Sequence, residues 1–178
     1  MSHAPETVLR GHAGDAQCLD FAEQDNILLS GDSFGSVRVW NLDSARSQAT
    51  QAHDEDAGVT QVCVASDAVI TQGRDGRVLQ WQMGEDGRLL AAHEVLPAGC
   101  YHFCKCAAPR AGKGGINSTL GHRIVAVAGD DNKGVRVVDR RSSEDCFAAR
   151  GSDQCGMTMC IELLDTQQPL LLVGYDTA

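Results

Sequence analysis

Thr71-Gln72-Gly73-Arg74-Asp75-Gly76-Arg77-Val78-Leu79-Gln80-Trp81, with His53 upstream of it, is the stretch whose reading decides how this chain folds. Val78-Leu79-Gln80-Trp81 follow the tight-turn pair Asp75-Gly76, which is the pattern of an antiparallel strand after a hairpin. Trp81 at its end buries a large ring but carries an indole N–H that needs an acceptor. Thr71 lies ten residues earlier, on the neighbouring strand, and offers its hydroxyl. His53 is placed to bond that hydroxyl, and Asp75 in the turn to accept from the other ring nitrogen. The four side chains are expected to form one closed polar chain. Losing a member should cost roughly 1–3 kcal/mol, because a buried polar group would be orphaned.

The same spacing occurs upstream. His12 to Trp40 and His53 to Trp81 both span 28 residues, and the two tryptophans are 41 apart. A period of about 40–45 residues, His early and Trp late, marks one blade of a β-propeller. In the first copy His12, Ser30 and Trp40 are in register with His53, Thr71 and Trp81. Phe34 occupies the slot of Asp75. Asp32 stands two residues away and is not relied on as a substitute, so the first blade is expected to be less rigidly locked.

Further along, Ile124 to Val127 and Val135 to Val138 form a degenerate third copy with Val138 in place of Trp. Its first strand is expected around Tyr101 to Cys106. The glycine-rich stretch from Pro109 to Thr119 reads as a long exposed loop. Gly121-His122 lies too close to Val138 to be a repeat start. Met157 to Leu163 and Leu170 to Val173 open a fourth copy, with a turn and a third strand expected to follow at Gly174-Tyr175-Asp176. The fold expected is all-β: about three and a half blades, roughly 10–50, 51–93, 98–150 and an incomplete 155–178. A ring of seven such blades needs roughly 280–315 residues at that repeat length. The 178-residue chain is therefore expected to be a truncated product, an isoform or a fragment.

Composition supports a globular, turn-rich protein: 43% hydrophobic residues, 19 glycines, 4 prolines. The net charge of −9 argues against bulk attraction to nucleic acid or anionic lipid, both of which need a positive surface. Met1 to Arg10 contains no apolar run, and Leu170 to Val173 is far too short to cross a bilayer. Residence in the nucleus or cytoplasm is expected, with the eight cysteines as free thiols.

No catalytic constellation emerges. Gly-x-Ser-x-Gly and His-Glu-x-x-His are both absent. Lys113 in its glycine loop lacks the flanking residues of a phosphate loop. Cys100, Cys104 and Cys106 near His102, with Cys155 and Cys160 further on, lack the repeated close pairs of a zinc site. Cys104 and Cys106 are expected on one face of a strand, as core. Neither catalytic residues, metal nor cofactor is expected. Asp15, Phe34, Asp56 and Arg74 are the candidate protein contacts. Phe34 leads them, as a large aromatic in a turn.

Thr71 to Asp75 with Trp81, Phe103-Cys104, Gly156-Met157 to Met159-Cys160, and Pro169 to Leu172 with Gly174-Tyr175 resemble, in the same order, one WD-repeat family. It is that of guanine nucleotide-binding protein subunit beta-like protein 1 and its fungal counterpart, ASTRA-associated protein 1. The resemblance runs from Leu9-Arg10-Gly11 to Tyr175. It implies a seven-bladed propeller and a non-enzymatic role beside the co-chaperone machinery that matures phosphatidylinositol-3-kinase-related kinases. In fungi it implies the ASTRA complex and a link to chromatin. Two alternatives compete with this reading. A heterotrimeric G-protein β-like subunit would carry an N-terminal helix with a heptad pattern, and none precedes Leu9. A thiol or metal enzyme would have to be built on the cysteine-rich segment.

Overall fold

The computed structural model describes residues 7–22, 26–65, 67–96, 104–109, 123–131, 133–164 and 170–177. Among them every regular element is a strand, and every pairing is antiparallel. The first sheet is β1 (Ala16–Ala22), β2 (Ile27–Asp32), β3 (Ser36–Asn41) and β4 (Arg46–Gln51), in that spatial order. The second repeats it with β5 (Val59–Val64), β6 (Val69–Gly73), β7 (Val78–Met83) and β8 (Leu89–Leu96). The third pairs β9 (Ile124–Ala128), β10 (Gly134–Asp139) and β11 (Asp145–Arg150), and the fourth pairs β12 (Cys155–Leu164) with β13 (Leu170–Thr177).

The third sheet departs from the sequence reading on its inner side. Residues 101–103 of the expected strand lie outside the described residues, as do residues 110–119 of the expected loop and the pair Gly121-His122. Cys104 to Pro109 runs alongside β9 and is joined to it by the Ala107–Ala126 bridge. Cys104 and Cys106 are both buried, but they do not share one core face. Cys106 packs with Ile70, Val78 and Val125, whereas Cys104 packs with Ala126, Val137 and Ile161. Gly174-Tyr175-Asp176 is strand and not turn. β12 continues far enough to pair with it, Cys160 opposite Gly174 and Thr158 opposite Tyr175.

The apolar core lies between the sheets and not within them. Leu29, Val37 and Val39 of the first sheet meet Val62, Val69, Leu79 and Trp81 of the second. Ile70 and Val78 of the second meet Val125, Val127 and Val138 of the third. Ala126, Val135 and Val137 of the third meet Ile161 and Leu163 of the fourth. Each sheet thus turns one row of alternate residues to the sheet before it and the other row to the sheet after it. Close approach is obligatory at Gly31, where a Cβ would stand 2.6 Å from the Val59 side chain.

Polar latches cross each interface. Asp20 accepts the Val64 amide at 2.8 Å. Gln72 donates to the Cys104 carbonyl at 3.1 Å and accepts the Cys106 amide at 2.7 Å, so both ends of its buried amide are used. Thr158 donates to the Gly134 carbonyl at 3.1 Å. Arg140, only 1% exposed, reaches back from the third sheet to Gln80 at 2.9 Å and Asp67 at 2.6 Å. Pairing of this kind is what makes a buried guanidinium tolerable.

Candidate functional site

The second sheet places His53 where its incoming loop meets the β6–β7 hairpin. Thr71 on β6 accepts the Trp81 indole N–H at 3.0 Å and shares a hydrogen with His53 Nε2 at 2.9 Å. With the hydroxyl accepting from the indole, its own hydrogen goes to Nε2, which leaves the proton on Nδ1. Nδ1–H then donates to Asp75 at 2.9 Å. Asp75 is also held by the Arg77 guanidinium at 2.8 Å and the Arg77 amide at 3.0 Å. Arg77 reaches on to Asp54 at 2.9 Å. The turn, the incoming loop and the third strand are thereby joined in one network.

The first sheet has a bracket of the same kind, assembled differently. Ser30 accepts from Trp40 at 2.8 Å and bonds His12 Nε2 at 2.6 Å. Asp32 takes His12 Nδ1 at 2.8 Å and accepts the amides of Phe34 and Ser36, each at 3.0 Å. The carboxylate missing from the turn is therefore supplied by Asp32, so the first blade also has a closed bracket, with Ser36 standing where the second has Arg77. Asp32 corresponds to Gly73, and Phe34 to Asp75. Arg38 lies over the Trp40 ring, 5.7 Å from its centroid, on a face that no other sheet covers among the described residues.

Burial pushes the His53 pKa below its ordinary value, against the pull of the Asp75 carboxylate. For Asp75, burial acts upward, but the Arg77 amide, His53 and the Arg77 guanidinium outweigh it and hold the carboxyl low. Asp32 is likewise held low: burial is outweighed by His12 and the Ser36 and Phe34 amides. All three groups bind fewer protons folded than unfolded, so stability must fall on acidification. The His53 contribution is complete above the unfolded value of about 6.5 and is lost as pH falls below it. The two carboxylate contributions are complete above about 3.9 and are lost as pH falls further. Urea midpoints should therefore drop from pH 7.5 to 5.5 and again below pH 4. His53→Gln should flatten the first step; an unchanged slope would contradict this assignment.

The four candidate contact residues come to one end of the sheets. Asp15 is exposed and bonded through its backbone to Ser33, beside Phe34. The Arg74 amide donates to the Gly58 carbonyl, and its guanidinium reaches Gln17 at 3.1 Å. Gly58 in turn packs against the Ser33 backbone, so the β2–β3 and β6–β7 turns are neighbours. Asp56 is exposed in the loop between His53 and Gly58. Phe34 leans on the Gly14 backbone and keeps 51% of its surface in water. The Asp130-Asp131 turn of the third sheet is a further acidic exposed turn, which the sequence reading did not single out.

The buried thiols of Cys18, Cys104 and Cys106 are poor nucleophiles. Burial pushes Cys18 and Cys104 each up to about 11, and contact with Cys63 together with burial raises Cys106 as well. A thiol that stays protonated at neutral pH neither attacks nor ligates readily. Among the described residues no three His, Cys, Asp or Glu side chains stand close enough to hold a metal ion. Cys100, His102 and Lys113 lie outside the described residues.

Solved structures share this arrangement. Structures of U3-55K and of the RRP9 WD40 repeats each align over 94% of this chain and 48% of theirs, with TM-scores of 0.68 at 16% identity. The fold is that of WD-repeat propeller blades. No protein-family model matches the chain. By sequence the blades are similar to ASTRA-associated protein 1 of Pyricularia oryzae, 32% identical over 81 residues, which is 46% of this chain and 17% of that protein. ASTRA-associated protein 1 of Aspergillus niger is 39% identical over 83 residues, 44% of this chain and 19% of that one. SIR4-interacting protein SIF2 of Saccharomyces cerevisiae is 29% identical over 82 residues, 46% of this chain and 15% of that protein. The matched stretch thus spans about a fifth or less of each relative's length.

Proposed function

We propose that this chain is a non-enzymatic docking scaffold for other proteins, working in an ASTRA-type assembly. Its place there would be beside the co-chaperones of phosphatidylinositol-3-kinase-related kinases, with a link to chromatin. One observation carries the reading: two buried His–hydroxyl–Trp brackets hold adjacent turns at one end of the sheets, and those turns present Phe34, Arg74, Asp15 and Asp56 to solvent. A half-exposed aromatic beside a cation and carboxylates on rigid turns is the composition of a protein contact. The imidazoles of His12 and His53 are engaged in holding that frame and are not free for chemistry. The names of the relatives, one an association with ASTRA and the other an interaction with SIR4, point the same way. Nuclear and cytoplasmic residence goes with this reading.

The test is quantitative affinity capture of the tagged protein from cells, with Phe34→Asp/Arg74→Glu alongside. ASTRA subunits and kinase-maturation co-chaperones should be enriched with the unaltered protein. Their recovery should fall about tenfold or more with the double variant, at unchanged thermal stability, since central anchors carry most of an interface's affinity. Failure to recover any of these proteins would overturn the assembly assigned. Full recovery with the double variant would overturn the face.

A further inference from the structure

Two thiols meet where the second and third sheets pack together. Cys63 lies on β5 and Cys106 in the segment that enters the third sheet, and both belong to the core of Ile70, Val78, Val125 and Val138. Cys63 Sγ donates to the Cys106 carbonyl at 3.9 Å, and the two thiols are themselves in hydrogen-bond contact. At the first interface a carboxylate occupies this place. Cys63 pairs with Ile70 as Asp20 pairs with Leu29, and Asp20 crosses to the Val64 amide. The Cys106 amide is already taken by Gln72 at 2.7 Å. The thiol pair is therefore not needed to satisfy that amide.

The pair is shielded from bulk water but not sealed. A cavity of about 570 Å³ is lined by Gln61, Cys63, Lys105, Cys106, Cys160 and Glu162 among others. Its walls come from β5, from the Cys104 to Pro109 segment and from β12, so it lies between sheets and not on an outer face. A water molecule's share of liquid volume is about 30 Å³, so a molecule the size of a peroxide enters without rearrangement. The Gln61 amide donates to Cys63 Sγ at 3.2 Å, and Lys105 brings a positive charge to the same cavity. Such neighbours suit a sulfur that becomes anionic in a reaction. Cys106 keeps its proton, because contact with Cys63 together with burial raises it. Cys63 is therefore the sulfur placed to attack, and Cys106 the one placed to resolve.

We propose that Cys63 and Cys106 are a reversible oxidation site, at which hydrogen peroxide joins the two sulfurs in one disulfide. In the first step Cys63 Sγ, as the thiolate, attacks one peroxide oxygen. The O–O bond breaks, hydroxide leaves, and Cys63 becomes a sulfenic acid. Oxidation of Cys63 removes the thiol contact that held the Cys106 proton. In the second step Cys106 Sγ attacks Cys63 Sγ: the S–S bond forms, the S–O bond breaks, and a second hydroxide leaves. The protons of the two thiols turn both hydroxides into water. The sulfurs lose two electrons in all, and one peroxide gains them. A dithiol reductant reverses the reaction by exchange. The bond ties β5 to the segment that enters the third sheet, across 43 positions of sequence. It stiffens that junction under oxidising conditions and releases it under reducing ones, where a bond of this kind is transient. The inference does not rest on the partner proposed above.

Hydrogen peroxide added to the folded, reduced 178-residue chain tests it. After the remaining thiols are blocked, digestion without reductant should yield the Cys63 and Cys106 peptides joined, and dithiothreitol should part them. The link should form about tenfold or more faster than the Cys18 thiol is lost, because a resolving sulfur is already in place at Cys63. Cys18 is as buried as Cys63 but bonds the Val59 carbonyl. The thermal midpoint should rise by about 5 °C or more on oxidation and return on reduction. Cys63→Ser should abolish both the link and the rise, and Cys104→Ser should leave both. Mapping on the unaltered chain decides the matter even where a variant fails to fold. Oxidation confined to Cys146, Cys155 or Cys160, a link of Cys63 or Cys106 to another thiol, a link that forms only in urea, or an unmoved midpoint would each overturn the proposal.

Discussion

Replacing Trp81 by alanine should lower the stability of the chain by roughly 3–5 kcal/mol, the range for removing a large buried aromatic from a packed interior. The ring sits between the first two sheets with Leu29, Val37, Val39 and Leu79, and is almost wholly shielded from water. Two separate losses contribute. Removing the ring leaves a cavity that two facing sheets cannot close without breaking their own ladders. Removing the indole N–H also takes away the donor that fixes the Thr71 hydroxyl, and with it the hydrogen shared with His53. Trp81→Phe separates the two. It keeps most of the apolar volume and loses the donor, so about 1–3 kcal/mol is expected. Urea unfolding of the two variants beside the unaltered chain measures both. Equal losses would mean that the hydrogen-bond chain, and not packing, dominates. A loss below ~1 kcal/mol for the alanine variant would contradict the account of this core.

Gly73→Ala should cost roughly 2–5 kcal/mol, although it adds a single methyl group. A Cβ at position 73 would fall on His53 Nδ1, within 2.6 Å of His53 Cγ and 2.5 Å of Asp75 Oδ1. It would occupy the place where imidazole and carboxylate meet. Neither can retreat easily: His53 is anchored on Thr71, and Asp75 on the Arg77 amide and guanidinium. The strain of overpacking therefore adds to the loss of a buried hydrogen bond. The first sheet supplies an internal control, since Asp32 stands at the corresponding position with Phe34 at that of Asp75. Gly73→Asp combined with Asp75→Phe copies that arrangement and should recover part of the loss. A thermally silent Gly73→Ala would mean that the bracket has slack it does not show here.

The repeat was legible because its signals are local and periodic. A His, a hydroxyl and a Trp at fixed separations, with turn residues between them, are visible in a single chain. What escaped depended on neighbours far away in sequence. The outer strands β4 and β11 are largely exposed, with no buried alternate row, so no apolar alternation marks them. Leu19 and Phe21 signal a strand, but Cys18 and Asp20 are the buried positions of β1. Arg140 and Asp20 read as surface charges until the adjoining sheet supplies Gln80, Asp67 and the Val64 amide. Cys104 and Cys106 are close in sequence and belong to different cores, because the segment that carries them is not a regular strand. The extension of β13 through Gly174 was hidden by the turn-like composition of Gly174-Tyr175-Asp176, which β12 overrides by offering it a ladder.

What an imidazole at this corner requires is an anionic oxygen at a given point in space. Two residue positions can deliver it, Asp32 in one repeat and Asp75 in the other. The acid can therefore sit at either of two places along the hairpin but not at both, because a Cβ at the first collides with an acid at the second, so the two positions must exchange together. Comparison column by column scores such a migration as two mismatches although the chemistry is intact. A repeat of this kind is better recognised by the pair of positions, at least one of them acidic, than by either alone.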